Sequence, residues 1–351
     1  MYLERLCVRF FRHFKEREFS FSSRLNLIWG DNAKGKTSLL EAIHLFTAGR
    51  SFRTNRLTEI LQHEAEAFSV EAFFNRNSIS QRLFYQWDGK VRKILHNKTP
   101  CQLANGLLGL VPSVVIHPED DMIKGTAQAR RKFMDMYFSI TDREYLQHLS
   151  RYVRALKQRN SLLRSHQTRG LEVWEETMAQ AAGYLVKKRS EYIAGFVDKG
   201  KKLHHSLSKE EEEFGIVYTS KAAHMFSQEE IAAFYIQEYR EHRQKEMGMG
   251  TSLIGPHRDD LYITVDGKEA RKFGSEGQKR TCVAVLRLLA WHHVKSFISI
   301  SPLILIDDLT AYYDASRREK LLSYCCGLGQ VFVTMTSPPK NIRGDIEFHL
   351  K

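Results

Sequence analysis

The sequence predicts an α/β protein with a phosphate-binding loop, and three observations lead to that prediction. Residues 30–37, G-D-N-A-K-G-K-T, fit the pattern G-x-x-x-x-G-K-[ST]. A short apolar run at 25–29 precedes this turn, and apolar residues at helical spacing follow it up to residue 49. Far along the chain, a second apolar run at 302–306 ends in two carboxylates. Strand, glycine-rich turn and helix in this order place backbone N–H groups around phosphate oxygens.

The turn is the predicted site for the phosphates of a nucleotide. The Lys36 ammonium is expected on the β- and γ-phosphates, which makes this lysine one of two catalytic candidates. An ordinary glycine-rich loop is the alternative that the pattern alone leaves open. The predicted binding residues are Gly30, Asp31, Asn32, Ala33, Lys34, Gly35, Lys36, Thr37 and Ser38.

The acids after the second apolar run are Asp307 and Asp308. In phosphate-loop ATPases the strand beside the loop brings a carboxylate to Mg²⁺, a hard cation that prefers oxygen ligands. We therefore expect Thr37 and Asp307 to hold Mg²⁺, and Asp308, the second catalytic candidate, to orient the attacking water. Paired acids after a strand can also cap a helix. About 270 residues separate these acids from the phosphate loop. In most small GTPases and kinases, the residues that complete the nucleotide site follow the loop within a much shorter stretch of sequence.

The composition is that of a globular protein of 351 residues, 42% hydrophobic and 27% charged. No uninterrupted apolar run approaches the length of a membrane span, about 18 residues, and residues 1–5 lack the apolar core of a signal peptide. The five cysteines show no C-x-x-C pair, which is typical of reduced thiols rather than of a disulfide framework or a zinc site. We expect a cytoplasmic protein without a membrane partner.

The net charge of +12 indicates a polyanionic partner such as DNA. Residues 118–261 carry 23 Lys and Arg against 22 Asp and Glu, and the rest of the chain carries 30 against 19. The basic excess therefore lies in the two terminal parts of the chain. Scattered solvated lysines would give the same total, so charge alone leaves both interpretations open.

Periodicity divides the chain into three zones. Strand-like patterns recur at 3–10, 18–21, 68–74, 80–87 and 91–96. Helical spacing begins near 118, and residues 165–170 are expected to form the tip of a helical hairpin. Strands and helices alternate again from 262. We expect residues 1–117 and 262–351 to form one ATPase head from both chain ends, and residues 118–261 to form a mainly helical arm with a short antiparallel, coiled-coil-like hairpin.

A second anion-binding motif, F-G-S-E-G-Q-K-R at 273–280, opens a helical pattern. Its residues Ser275, Gly277 and Gln278 resemble the signature L-S-G-G-Q of ABC-type ATPases, and they are further candidates for nucleotide binding. In that class the signature of one subunit covers the nucleotide of the other, so each site is built from two chains. Taken alone, Ser275 is also a good helix N-cap.

Further motifs resemble the RecF family of DNA repair ATPases, in family order and over nearly the full chain. They lie at 6–13, 39–42, 49–53, 118–120, 124–125, 130–131, 255–260 and 274–278. The resemblance implies an ABC/SMC-type ATPase head with an antiparallel β subdomain and an inserted helical arm. It also implies a weak DNA-stimulated ATPase that dimerises with ATP and binds single-stranded DNA and gapped or junction duplexes. Its implied partners are RecO and RecR, with which it would load recombinase at gaps in DNA repair, replication and the SOS response.

Three departures from the family pattern affect the expected activity. Ala33 stands where the family often has glycine, and the loop at 311–314, A-Y-Y-D, replaces the usual S-E-L-D. Only Asp314 is kept, so this loop departs from the pattern that the resemblance implies for communication between subunits. The strand at 331–334 ends without the histidine that many ABC ATPases have there. We expect slow hydrolysis.

The sequence is compatible with two functions. The favoured one is a DNA-binding ATPase of recombinational repair; the alternative is the ATP-hydrolysing subunit of a membrane transporter. The missing histidine, the helical insertion and the basic head argue against the transporter. Candidate DNA contacts are Arg50, Arg53 and Arg56, which follow the first nucleotide-site helix. These arginines could instead cap that helix or hold an internal acid.

Overall fold

The structure, a computed structural model, describes residues 1–54, 56–102, 108–118, 121–208, 212–337 and 344–350, without the side chains of 311 and 312. Glu119 and Asp120, which belong to one of the family motifs, fall outside the described residues. The chain forms two compact units. The first contains Met1–Asp120, Ser206–Lys209 and Val283–Lys351, and the second contains Asp121–His205 and Glu210–Cys282.

Fourteen strands are found in the described residues: β1 (Tyr2–Phe11), β2 (Phe14–Ser20), β3 (Leu25–Trp29), β4 (Phe68–Arg76), β5 (Ile79–Trp87), β6 (Arg92–His96), β7 (Thr99–Pro100), β8 (Ser113–Ile116), β9 (Phe214–Thr219), β10 (Asp260–Val265), β11 (Lys268–Glu269), β12 (Leu303–Ile306), β13 (Val331–Met335) and β14 (Ile346–His349). The α-helices in the same part of the chain are α1 (Lys36–Ala48), α2 (Asp121–Lys124), α3 (Ala127–Thr141), α4 (Arg143–Arg164), α5 (Leu171–Ala194), α6 (Val197–Leu207), α7 (Gln228–Met249), α8 (Ala270–Phe273), α9 (Glu276–Ile298), α10 (Leu309–Tyr312) and α11 (Ala315–Cys326).

The first unit contains two sheets. An antiparallel sheet has the strand order β2-β1-β4-β5-β6-β7. A parallel sheet has the order β14-β3-β13-β12-β8. Every residue of β12 and β13 is buried, as expected for parallel strands that are covered on both faces. Burial alternates along most of β4 instead, because that strand packs only one face on the core.

One hydrophobic core joins the two sheets and α1. The rings of Phe21 and Phe332, for example, meet edge to face with centroids 4.9 Å apart. In the parallel sheet, β13 lies between β3 and β12. The carboxyl ends of these three strands therefore lie along one edge, which is where ligands bind in sheets of this kind. This arrangement positions the candidate site.

The second unit is mainly helical, with the small sheet β11-β10-β9. The helix α4 ends at Arg164 and α5 begins at Leu171, which confirms the predicted turn around 165–170. The fully buried Arg159 of α4 joins α5 and α7 by ion pairs to Glu175 (2.9 Å) and Glu246 (2.5 Å). Because a buried charge without a partner is costly, these carboxylates fix how the helices pack.

Residues 262–282 belong to the second compact unit, together with the helices of the predicted arm. Their assignment to a functional ATPase head stays a prediction. Among the described residues, no helix has both the length and the apolar character that crossing a membrane requires.

Candidate nucleotide-binding site

The loop between β3 and α1 has a backbone that only glycine fits at two of its positions. Gly30 has φ 149°, and a Cβ atom there would lie 2.3 Å from the Leu350 carbonyl oxygen. Gly35 has φ 89°, and its Cβ would lie 2.9 Å from Cζ of Phe14. Residues with a side chain rarely adopt such φ values, and neither position has space for a Cβ atom. The motif glycines are therefore required by local geometry.

Ala33 stands in the same loop with φ 66°, in the left-handed region. An alanine there costs about 1 kcal/mol, because its Cβ approaches the following carbonyl oxygen. The departure from the family pattern noted in the sequence is thus a point of backbone strain beside the site.

Lys36 begins α1 and is 8% exposed. Its Nζ donates to the carbonyl oxygens of Gly30 and Asp31, both at 2.7 Å. No carboxylate among the described residues forms an ion pair with it. A nearly buried ammonium with only carbonyl partners is electrostatically suited to an anionic ligand.

Thr37 and Asp307 meet at the carboxyl edge of the parallel sheet. The Thr37 hydroxyl donates to the Asp307 carboxylate, with Oγ1 at 3.0 Å from Oδ1 and 2.9 Å from Oδ2. From β13, between them, Thr334 donates its hydroxyl to Asp307 Oδ1 at 2.6 Å. Asp307 is 7% exposed. Burial raises the pKa of this carboxyl, and the hydrogen bonds from Thr334 and Thr37 oppose that rise.

Asp308 follows in a left-handed conformation, with φ 47°. Its backbone N–H donates to Thr334 Oγ1 at 2.8 Å. Its Oδ1 is buried and accepts no hydrogen bond from the described residues. Buried carboxylate oxygens normally have a donor. The described part of the chain therefore leaves this oxygen without a donor.

An open cleft of about 550 Å³ lies over this edge of the sheet. Arg53, one of the proposed DNA contacts, lies in its wall with the nucleotide-site acids. The lining residues are Thr37, Phe52, Arg53, His117, Pro118, Asp307 and Asp308. Phe52 and His117 were not predicted as site residues, although Phe52 lies in the family motif at 49–53 and His117 directly precedes the motif at 118–120.

Arg12, rather than any of the three candidate arginines, holds the buried acid of α1. Its guanidinium donates to both oxygens of Glu41, at 2.8 and 2.6 Å, and Glu41 is fully buried. The Ser51 hydroxyl donates to the same carboxylate. This cluster ties α1 to the segment that carries the candidate arginines. Of these, Arg56 is 81% exposed and 3.9 Å from Glu59.

The signature residues lie in the second unit, at the start of α9. The Gln278 N–H donates to Ser275 Oγ (3.1 Å), and the Ser275 N–H donates to Gln278 Oε1 (2.7 Å). This reciprocal pair is a capping box. Ser275 therefore has the N-cap geometry that the sequence left open as an alternative, and its contact with nucleotide, like that of Gly277, stays a prediction.

The near-neutral charge of residues 118–261 conceals a basic face on α4. This helix has a single acidic residue, Glu144, and five exposed basic residues, which we call the basic face of α4: Arg143, Arg151, Arg154, Lys157 and Arg164. Net charge summed over a segment cannot reveal such a face, because acids on other helices cancel it.

The two sheets of the first unit, the glycine-rich loop and the helical insertion define an α/β phosphate-loop protein with an ABC/SMC-type head. The model of the RecF/RecN/SMC N-terminal domain matches residues 2–340. A DNA replication and repair protein RecF from Protochlamydia amoebophila is 40% identical over 96% of this chain and 95% of its own length. The RecF protein of Chlamydia caviae is 35% identical over 94% and 90%, respectively.

The chain belongs to the RecF family. A solved structure described as the recombination mediator protein RecF-ATP in the RecFOR pathway superposes with a TM-score of 0.91 at 28% identity, covering 99% of this chain and 95% of the other. An SMC head bound to the C-terminal winged-helix domain of ScpA shares only the fold, with a TM-score of 0.52 and 14% identity over 96% and 90% of the two chains. The transporter alternative is not favoured by these relatives.

Proposed function

We propose that the protein is an ATP-dependent DNA-binding protein of recombinational repair and replication-fork maintenance. ATP joins two copies into a dimer that clamps DNA near junctions of single-stranded and duplex DNA, and slow hydrolysis resets it. The observation that carries the proposal is the meeting of Thr37 with Asp307, since a phosphate loop and an acid-tipped strand 270 residues apart converge on one edge of the sheet. Kinship with proteins named for DNA replication and repair supports the biological setting.

The loop amides and Lys36 receive the phosphates. In this proposal the Lys36 ammonium leaves the carbonyl oxygens of Gly30 and Asp31 for the β- and γ-phosphate oxygens, which carry full charge. The hydroxyl of Thr37 and the carboxylate of Asp307 are hard oxygen donors and fit Mg²⁺, so these two residues would hold the ion. Mg²⁺ would supply neutralising charge on the phosphate oxygens.

Asp308 orients the attacking water. Its buried Oδ1, without a donor among the described residues, is the acceptor that such a water requires. Hydrolysis is slow and stimulated by DNA, so the protein acts mainly as a binding switch. Thr334 and Met335 end β13 and Thr336 follows it, so no histidine stands at 334–336, which supports that expectation.

The second copy completes each site with Ser275, Gly277 and Gln278. The N-terminus of α9 directs N–H groups and positive partial charge outward, and it suits the γ-phosphate of a nucleotide bound to the partner. Two sites then bridge the dimer, and ATP stabilises it.

DNA binds the paired heads through basic residues, among them the partly buried Arg50 and the exposed Arg53 and Arg56. Because Arg53 lies in the wall of the nucleotide cleft, it could sense nucleotide and DNA together. RecO and RecR act with the protein at gaps in the cytoplasm, a part of the proposal that rests on the family and on the RecFOR pathway named for the related structure.

Retention on gapped DNA tests the proposal. We expect immobilised gapped duplex to retain the wild-type protein with ATP and to release it with ADP. Lys36→Ala should lose ATP binding and retention together. Lys90→Ala, which removes an equal charge in an exposed turn, is the matched control for ATP binding. Equal retention with ATP, with ADP and without nucleotide would refute the ATP switch.

A further inference from the structure

The side chain of the signature glutamine is held at both ends. Gln278 Oε1 accepts from the Ser275 N–H at 2.7 Å, and its Nε2 donates to Glu212 Oε1 at 2.9 Å. A carboxylate only accepts hydrogen bonds, so Glu212 requires the NH₂ end of the amide to face it. The carbonyl end must then face Ser275. Glu212 thus selects one of the two orientations of the Gln278 amide.

Glu212 is itself held in place. Its side chain is only 6% exposed, and Oε2 lies 3.6 Å from Nε2 of the fully buried His204. The His204 ring stacks on Phe214, with centroids 5.6 Å apart. Glu212 stands just before β9, whose first residue is Phe214. Its carboxylate is therefore a fixed acceptor rather than a mobile surface group.

The amide orientation affects the hydroxyl of Ser275. With Gln278 Oε1 on the Ser275 N–H, the capping box closes and Ser275 Oγ accepts from the Gln278 N–H at 3.1 Å. The oxygen of the hydroxyl is then used as an acceptor towards the helix, which leaves its hydrogen to donate outward. An outward donor at a helix N-terminus is the group that a phosphate oxygen needs.

We propose that Glu212 is a positioning residue for the signature motif: through Gln278 it orients Ser275 for the nucleotide of a second copy of this chain. This inference rests on the proposed function, since it presupposes that α9 contacts nucleotide across a dimer. Glu212 touches no nucleotide, and ATP affinity of the single chain does not depend on it.

The test measures ATP-dependent dimerisation by sedimentation equilibrium. Glu212→Ala should weaken the dimer about tenfold to a hundredfold, the effect of losing a hydrogen bond to a charged group. Glu212→Gln keeps an acceptor oxygen for Gln278 Nε2 and should stay within about threefold of wild type. Glu213→Ala is the matched control, because the Glu213 carboxylate pairs with Lys201 on the surface and is 69% exposed. It should dimerise as wild type does.

A double-mutant cycle separates positioning from support of the buried His204. If Glu212 acts through Gln278, Glu212→Ala should add less than about twofold in a Gln278→Ala background, because the two changes remove one interaction. An equal weakening in both backgrounds would overturn the inference, as would a wild-type dimer in Glu212→Ala. ATP-dependent dimerisation of Ser275→Arg would instead overturn the proposed function itself. If Ser275→Arg lost ATP-dependent dimerisation and Glu212→Ala kept it, only the role of Glu212 would be overturned.

Discussion

Thr334 links the two acids of the site, and replacing it with valine isolates that link. The residue is fully buried in β13. Its hydroxyl donates to Asp307 at 2.6 Å and accepts from the Asp308 N–H at 2.8 Å. Valine has nearly the same shape, so Thr334→Val removes two hydrogen bonds without leaving a cavity.

The expected cost follows from the two bonds. A hydrogen bond to a charged group contributes about 1.5–3 kcal/mol and one between neutral groups about 0.5–1.5 kcal/mol, so Thr334→Val should lower the free energy of unfolding by about 2–4 kcal/mol at pH 7. Mg²⁺-dependent ATP binding should weaken as well, because Asp307 loses a donor that favours its charged form.

The loss in free energy of unfolding caused by Thr334→Val should depend on pH. Burial already raises the pKa of Asp307 above its ordinary value of 3.8, and the Thr334 hydrogen bond opposes that rise. Removing the bond raises the pKa further. A carboxyl with a raised pKa in the folded state contributes stability that is complete below 3.8 and is lost as pH rises through the folded-state value. Thr334→Val should therefore be least harmful near pH 4 and most harmful at neutral pH.

Urea denaturation followed by tryptophan fluorescence measures this effect, since Trp29, Trp87 and Trp291 all belong to the first unit. Thr47→Val is the control: it removes a buried hydroxyl whose partners, the Val111 carbonyl and Ser113, are neutral. In an Asp307→Asn background, Thr334→Val should lower the free energy of unfolding by less than it does in wild type. The effect of Thr47→Val should be the same in both backgrounds. A Thr334→Val cost below about 0.5 kcal/mol, the lower limit for one hydrogen bond, would refute the argument.

Three further predictions concern the phosphate loop, the water that attacks ATP and the binding of DNA. Ala33→Gly should stabilise the protein by about 0.5–1 kcal/mol in the same denaturation assay, because glycine relieves the left-handed strain; a loss of stability would contradict the observed φ. Asp308→Asn should keep ATP affinity in equilibrium titrations and stall phosphate release, leaving a long-lived ATP dimer; loss of ATP binding would exclude the water-orienting role. Alanine at Arg50, Arg53 and Arg56 should lower DNA affinity and reduce the salt slope by up to about three. The double variant Arg50→Ala/Arg56→Ala, which keeps Arg53 in the nucleotide cleft, should spare ATP binding. An equal alanine triple on the basic face of α4 should have little effect, and the reverse result would move the DNA site to the arm.

Local patterns in the sequence were enough to predict the loop and the ends of the strands. Lys36 and Thr37 are adjacent in a motif whose spacing is set by one turn of backbone, and Asp307 ends an apolar run. The alternation of apolar and polar residues likewise predicted strands close to the observed bounds of β1, β4 and β5. It could not predict that β1 pairs with β4 as well as β2, because register between distant strands depends on packing.

The residues that escaped prediction are those whose role exists only in the folded chain. Thr334 looks like an ordinary strand residue until β13 places it between β3 and β12. Arg12 pairs with Glu41 across 29 residues, and Glu212 with Gln278 across 66. None of these pairs has a fixed spacing that a sequence pattern could reveal. The basic face of α4 escaped for another reason, since charges were summed along the chain rather than by helix face.

The proposed dimer builds each ATP site from two chains, a claim that sedimentation of mixed variants can test. Ser275→Arg keeps the phosphate loop and blocks the signature, whereas Lys36→Ala keeps the signature and loses the ammonium for phosphate. Each variant alone should remain monomeric with ATP. An equal mixture should form dimers with ATP, because one site then combines the intact loop of one chain with the intact signature of the other. Dimers of Ser275→Arg alone, or a mixture that stays monomeric while wild type dimerises, would contradict the claim.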